Sequence, residues 1–91
     1  MNNIDYISFK NIINEHNINL YDGDIRIAHC RFNNLFYNKL VNNEYLSIID
    51  DQNTTINKLK KNPNLLIHLI NSLVKNNINK INYIINFINQ N

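Results

Sequence analysis

The sequence predicts an all-α fold, a compact bundle of five to six short helices, because apolar residues recur at helical spacing in three long stretches. The stretch 63–74 carries the widest apolar stripe, which we expect to form the central core helix. The stretches 25–40 and 78–88 show the same periodicity. Since 91 residues are enough for one hydrophobic core, we expect a single helical domain over residues 1–91.

The predicted central helix has a clear beginning at Pro63. Asn62 can accept a hydrogen bond from the first free backbone N–H groups, and proline suits the first helical position. Its apolar stripe consists of Leu65, Leu66, Leu69, Ile70, Leu73 and Val74. Each of these side chains contributes about 2 kcal/mol when buried. The other helices should therefore pack around this one.

The N-terminal part of the chain predicts a helix over about 3–16, which Asn3 or Asp5 can cap. The following stretch, 17–27, is ambiguous. Its apolar residues alternate on both sides of Asp22-Gly-Asp24, which is the outline of a β-hairpin.

Helical spacing that begins at Ile25 and continues for four turns is the longer signal in this part of the chain. We therefore predict a loop over 17–23 and a helix over about 24–42. The β-hairpin remains the alternative for 17–27.

The second half of the chain predicts four more helices. For the first of them, over about 44–50, a strand is the alternative. Thr54 or Thr55 can cap the second, which should end near Lys61 because the residue before a proline avoids the helical region. Asn76-Asn77 separates the last two helices by so short a link that we expect an antiparallel hairpin. The four predicted ranges are about 44–50, 54–61, 63–75 and 78–90.

The composition is unusual, with 23 Asn and 17 Ile against one Gly and one Pro. These abundant residues have AT-rich codons, which indicates the AT-rich genome of a virus, phage, protist or low-GC bacterium. Asparagine is expected to supply caps and left-handed helix ends that glycine usually supplies.

Several kinds of protein are disfavoured by the sequence. It shows no signal-peptide pattern and no apolar run long enough for a bilayer span, and the lone Cys30 cannot form an internal disulfide. We expect a cytoplasmic protein, in the host cytoplasm if it is viral, with no membrane contact.

Enzymatic chemistry and metal binding find little support. Cys30 and His29 are adjacent, so on a helix they point about 100° apart, and we expect Cys30 to be a small, partly buried residue. The histidines and the cysteine lack metal-ligand spacing, and the oxygen-rich stretch from Asp51 lacks the glycine and the final glutamate of a calcium loop. We predict a non-enzymatic protein without a metal or cofactor.

Protein binding is the function that we predict. The expected interface anchors are Tyr21, Tyr37, Tyr45 and Tyr83, because exposed tyrosines often dominate the energetics of interfaces. Such a protein would act as an inhibitor, adaptor or regulator. The last predicted helix is apolar over more than half its circumference, so a homo-oligomer through this helix is also possible.

Nucleic-acid binding is the alternative, because charge is divided unevenly along the chain. Residues 1–51 carry a net charge of −3, whereas residues 52–91 carry five lysines and no acid. The predicted helices 54–61 and 63–75 follow one another like a helix-turn-helix. The candidate nucleic-acid-binding residues are Lys58, Lys60, Lys61, Asn64, His68, Asn71, Lys75 and Lys80.

Overall fold

A computed structural model describes residues 3–36 and 45–90, and within these ranges the protein is all-helical, as the sequence predicts. The described part contains five α-helices and no β-strand, and its principal extents are 30 × 26 × 25 Å. The helices are α1 (Tyr6–Glu15), α2 (Asp22–Asn34), α3 (Gln52–Lys61), α4 (Pro63–Lys75) and α5 (Ile78–Gln90).

Helix α4 is the central helix, as predicted, and it packs against α2, α3 and α5. Its inner face carries Leu66, Leu69, Ile70 and Leu73, all of which are buried. Asn62 caps the helix by accepting a hydrogen bond from the Leu65 N–H at 3.3 Å. At the other end Asn76 adopts the left-handed conformation, with φ of 53°, in the place where glycine is common.

The remaining helices each bury one apolar face against α4 or α2. Phe32 lies at the middle of this core, with ring-centroid distances of 5.5 Å to Phe9 and 5.4 Å to Phe36. The other buried apolar residues outside α4 are Ile13, Ile25, Ala28, Leu35, Ile48, Leu59, Ile81, Ile84, Ile85 and Ile88. One contiguous core therefore extends through all five helices.

Three helix boundaries differ from the prediction. Helix α1 begins at Tyr6, since Asp5 is its cap and accepts the Ser8 N–H at 2.8 Å. Helix α2 begins at Asp22, and no hairpin forms over 17–27. Helix α3 begins at Gln52, because the Asp51 carboxylate, and not a threonine, accepts the Thr54 N–H.

The prediction that the second helix continues to residue 42 is wrong, because α2 ends at Asn34. The next two residues, Leu35 and Phe36, form a turn and are buried. The Leu35 carbonyl accepts a hydrogen bond from the Ile48 N–H at 3.0 Å. Residues 37–42 of the predicted helix lie outside the described ranges.

The predicted helix over 44–50 is also wrong over 45–50, where the backbone is irregular. We call residues 45–50 the amide-held segment, because asparagine side chains of α5 bind its backbone. Asn82 Oδ1 accepts the Leu46 N–H at 2.7 Å. Asn89 accepts the Ile49 N–H at 3.1 Å and donates to the Ser47 carbonyl at 3.0 Å.

These contacts explain how a helix can hold an irregular segment. Asn82 and Asn89 are seven residues apart, which is about 10.5 Å along a helix, so they contact two separate points of the segment. The two amides bind backbone groups that a helix over 45–50 would have used internally.

Residues 3–5, which precede α1, are held in the same manner. Gln52 is 2% exposed, and its Oε1 accepts the Ile4 N–H at 2.8 Å. The Ile4 carbonyl lies 2.8 Å from Nε2 of His29. Gln52 also donates to Oδ1 of Asn33 at 2.8 Å, which connects this start of the chain to α2.

Helices α4 and α5 are joined by Asn76 and Asn77 and pack against each other. Leu65, near the beginning of α4, and Ile88, near the end of α5, line one surface cleft, which is consistent with the antiparallel hairpin that the link length predicts. Within residues 3–36 and 45–90, no helix has the length and apolar character needed to cross a membrane.

Candidate interaction surfaces

The predicted tyrosine anchors occupy different environments. Tyr21 and Tyr83 are 86% and 72% exposed. Tyr45 is half-buried, and its hydroxyl donates to Oδ1 of Asn76. Tyr37 lies outside the described residues. Tyr21 precedes α2 whereas Tyr83 lies on α5, so the structure does not gather the predicted anchors into one group.

Helix α5 and the segment beside it carry most of the exposed apolar side chains in the second half of the chain. Tyr83 and Phe87 are one turn apart on the outer side of α5. Leu46 and Ile49 lie on the amide-held segment, and Ile49 is 79% exposed. We call these four residues the α5 surface.

The sequence did not point to Leu46 and Ile49, because 44–50 was predicted to be a helix. The irregular backbone directs Ile48 into the core and leaves Ile49 outside it. The choice between these two neighbouring isoleucines depends on the hydrogen bonds that Asn82, Asn89 and Leu35 accept from the segment. A local sequence pattern carries no sign of those contacts.

The five lysines of the acid-free half do not form one uniform group. Lys58 is partly neutralised, because its ammonium lies 2.8 Å from the Asp50 carboxylate. Lys60, Lys61, Lys75 and Lys80 are exposed, and none of them forms an ion pair with a residue in the described ranges. The basic character of this half therefore comes from four lysines spread over three helices.

Helix α4 presents a polar stripe on its outer side. Its members follow one another at intervals of four, three and four residues, which places them along one line of the helix surface. The polar stripe consists of Asn64, His68, Asn71 and Lys75, all exposed. Only Asn62 separates α4 from α3, which ends in Lys60 and Lys61.

The Cys30 thiol is exposed and not partly buried as we predicted. The neighbouring His29 ring lies between Tyr6 and Phe9, with centroid distances of 5.8 and 5.3 Å, and its Nε2 is bonded to Ile4. His29 therefore fixes the start of the chain. Among the described residues, no three His, Cys, Asp or Glu side chains are grouped so that they could hold a metal ion.

A cluster of charges around Asp22 connects α1 to α2. The Asp22 carboxylate accepts hydrogen bonds from the Tyr6 hydroxyl, from Lys10 at 3.1 Å and from Arg26 at 3.1 Å. These hydrogen bonds lower the pKa of Asp22 to about 2, and the bond from Tyr6 has the largest effect. Partial burial and the bond to Asp22 raise the pKa of Tyr6.

Two other carboxylates act as helix caps. The Ser8 N–H lowers the pKa of Asp5, and the Thr54 N–H lowers the pKa of Asp51, because each bond favours the ionised form. Both groups and the Asp22 cluster use their charges within the fold. The apolar α5 surface and the polar stripe of α4 do not take part in these interactions, and both are candidate surfaces for a partner.

Comparison with known proteins does not choose between these surfaces. The sequence matches no protein-family model, and no curated protein and no solved structure matches the chain.

Proposed function

We propose that this protein acts by binding another protein and that the α5 surface is the contact region. The observation that supports the proposal most strongly is the exposure of Ile49 and Tyr83, at 79% and 72%. The inner side of α5 is already filled by buried isoleucines, so the fold does not need these outer side chains for its own core. Large apolar side chains that the fold leaves exposed are typical of interaction sites.

The character of α5 also suits an interface. Lys80 is its only charged residue, and the rest of its outer side consists mainly of amides and the two aromatic residues. Interface centres are depleted in charge and enriched in aromatic residues. Burying one large apolar side chain contributes about 2 kcal/mol. The exposed tyrosine and isoleucine could therefore supply a substantial part of an interface energy.

A capture experiment with matched variants tests this proposal. The bait is the intact chain, immobilised and exposed to lysate of the natural host, and captured proteins are identified by mass spectrometry. We expect the double variant Ile49→Ala/Tyr83→Ala to lose the specific partner, because it removes two exposed anchors. Tyr21→Ala is the matched control, since Tyr21 is at least as exposed but lies outside the α5 surface.

The proposal is contradicted if the double variant retains the partner as well as the unaltered chain does. It is equally contradicted if capture depends on Tyr21 and not on the α5 surface. Sedimentation equilibrium of the same proteins shows whether the partner is a second copy of the chain.

Nucleic-acid binding is the second candidate function, and the polar stripe of α4 favours it. Asparagine can read adenine edges, and lysine contacts phosphates. The stripe and the unpaired Lys60 and Lys61 are available for such contacts. The pairing of Lys58 with Asp50 weakens the case, because it partly neutralises one of few basic groups.

Fluorescence anisotropy with random duplex and single-stranded oligonucleotides at two salt concentrations tests this second candidate. Phosphate-driven binding should be micromolar, weaken steeply with salt and disappear in Lys60→Ala/Lys61→Ala/Lys75→Ala. An absence of binding at low salt would eliminate it.

A further inference from the structure

An open groove of about 630 Å³ lies between α1 and α3. Ile12 of α1 and Ile56 of α3 form its apolar floor, and both are half-buried and packed against the core. The same two isoleucines line the interior space beside Phe32 and Leu59 on their other side. The floor of the groove is therefore a fixed part of the domain.

The walls of the groove carry side-chain amides that the fold does not use. Asn11 lies on the α1 wall, and Asn53 and Asn57 lie on the α3 wall. All three are exposed, and their side chains form no hydrogen bond with a described residue. An amide both donates and accepts, so it can pair with the N–H and C=O of a polypeptide backbone.

Other amides of this molecule already bind backbone in this way. Asn89 accepts the N–H of Ile49 and donates to the carbonyl of Ser47, and Gln52 accepts the N–H of Ile4. In each case a helix surface holds polypeptide that is not itself helical. The groove offers the same groups, and no backbone of residues 3–36 or 45–90 is bound to them.

The spacing of the α3 amides fits extended backbone. Asn53 and Asn57 are four residues apart, which is about 6 Å along the helix. In an extended chain, backbone groups on the same side recur every two residues, or about 6.6 Å. The wall from Asn53 to Lys60 is about 10.5 Å long, which corresponds to about three extended residues.

The charges of the groove favour a polypeptide over a nucleic-acid strand. Glu15 belongs to the α1 wall and Lys60 to the α3 wall. Neither forms an ion pair with a described residue. With one acid and one base the groove gives a phosphate backbone no net attraction, whereas a peptide can carry side chains of both signs.

We propose that the groove between α1 and α3 binds a short extended segment of a partner polypeptide, through its backbone. Asn53 and Asn57 pair with alternate residues of the segment, Asn11 contacts it from the opposite wall, and side chains on one edge rest on Ile12 and Ile56. This site lies on different helices from the α5 surface. It extends the proposed protein-binding function and does not depend on that surface.

Selection from a displayed library of random octapeptides, with the intact chain as bait, tests the proposal. Selected peptides should bind Asn53→Ala/Asn57→Ala about tenfold more weakly, since two backbone hydrogen bonds are lost. The matched control is Asn64→Ala/Asn71→Ala, which removes two exposed amides from α4. Alanine is a better helix former than asparagine, so neither variant should lose its fold, and a thermal melt checks this.

A second measurement separates backbone recognition from side-chain recognition. N-methylation of backbone amides in a selected peptide should abolish binding at alternate positions. The proposal that the groove binds a peptide is overturned if no peptide is selected. It is also overturned if Asn53→Ala/Asn57→Ala and Asn64→Ala/Asn71→Ala bind the selected peptides equally well. It is also overturned if Ile49→Ala/Tyr83→Ala, and not the α3 variant, loses the peptides, in which case the α5 surface remains the protein-binding site.

Discussion

Helix α4 and the amide-held segment lie in the same small domain, but different interactions determine their conformations. Helix α4 is held by burial of an apolar face that recurs along its own sequence. Residues 45–50 are held by hydrogen bonds from asparagines 36 and 40 residues further along the chain. A regular element can therefore be derived from local periodicity, whereas an irregular one is determined by residues far away in sequence.

The two kinds of contact also differ in energy. A buried leucine contributes about 2 kcal/mol through removal of apolar surface from water. A hydrogen bond that replaces one to water contributes about 1 kcal/mol net. We therefore expect α4 to carry more of the stability of the domain and the amide-held segment to open more readily.

The largest expected effect tests the α4 side of this comparison. Leu69 is fully buried at the centre of the core, so Leu69→Ala should lower the free energy of unfolding by about 2–5 kcal/mol. Urea denaturation measures the change. Leu65→Ala on the same helix is the control, since Leu65 is only half-buried and should cost less. An unchanged midpoint in Leu69→Ala would mean that α4 is not the centre of the core.

A smaller effect tests the amide-held segment. Asn89→Ala removes two hydrogen bonds to the segment and should lower the free energy of unfolding by about 1–2 kcal/mol relative to Asn86→Ala. Asn86 is exposed on the same helix, so the control corrects for the higher helix propensity of alanine.

Hydrogen exchange gives a local measurement of the same change. The Ile49 amide should exchange faster in Asn89→Ala, because its acceptor is gone. The Leu69 amide should exchange only through global unfolding, so its protection should follow the global stability. An equal exchange rate of the Ile49 amide in Asn89→Ala and Asn86→Ala would contradict the conclusion that Asn89 holds the segment.

The smallest effect concerns the exposed cluster that joins α1 to α2. The pKa of Asp22 is lowered to about 2, from an ordinary value of 3.8. A carboxylate with a lowered pKa stabilises the fold above its unfolded pKa, and that contribution is lost as the pH falls through the folded pKa. The difference in urea midpoint between the unaltered protein and Asp22→Asn should be largest above about pH 4.

This difference should shrink as the pH is lowered from about 4 to about 2, because Asp22 then becomes protonated in the folded protein too. Asp5 and Asp51 also have lowered pKa values, but both are present in the two proteins, so their contributions cancel. A midpoint difference that does not change with pH would show that the charge of Asp22 is not involved.

The sequence predicted the helices with strong periodicity and clear caps more accurately than the others. The ranges predicted for α4 and α5 agree with the structure, because Asn62, Pro63 and Asn76 mark the boundaries locally. The end of α2 could not be derived in this way. Apolar spacing continues past Asn34, but the Leu35 carbonyl is bonded to Ile48, which lies far along the chain.

The candidate sites show the same division. The polar stripe of α4 follows from spacing, since polar residues between the apolar ones must face outward. The α5 surface could be derived only in part, through Tyr83 and Phe87 on the outside of an amphipathic helix. Ile49 was not recognisable, and neither was the groove, because both depend on where separate elements come to lie.

By itself the sequence determined that the protein is helical and which helix lies at its centre, because helical periodicity and caps act over a few residues. The tertiary structure decided where the chain leaves the helical conformation and which amides hold backbone. Asn82 and Asn89 bind backbone whereas Asn53 and Asn57 do not, although all four are asparagines on amphipathic helices. The physical reason is that a side-chain amide pairs with any backbone that packing brings within about 3 Å, and that proximity is a property of the folded chain.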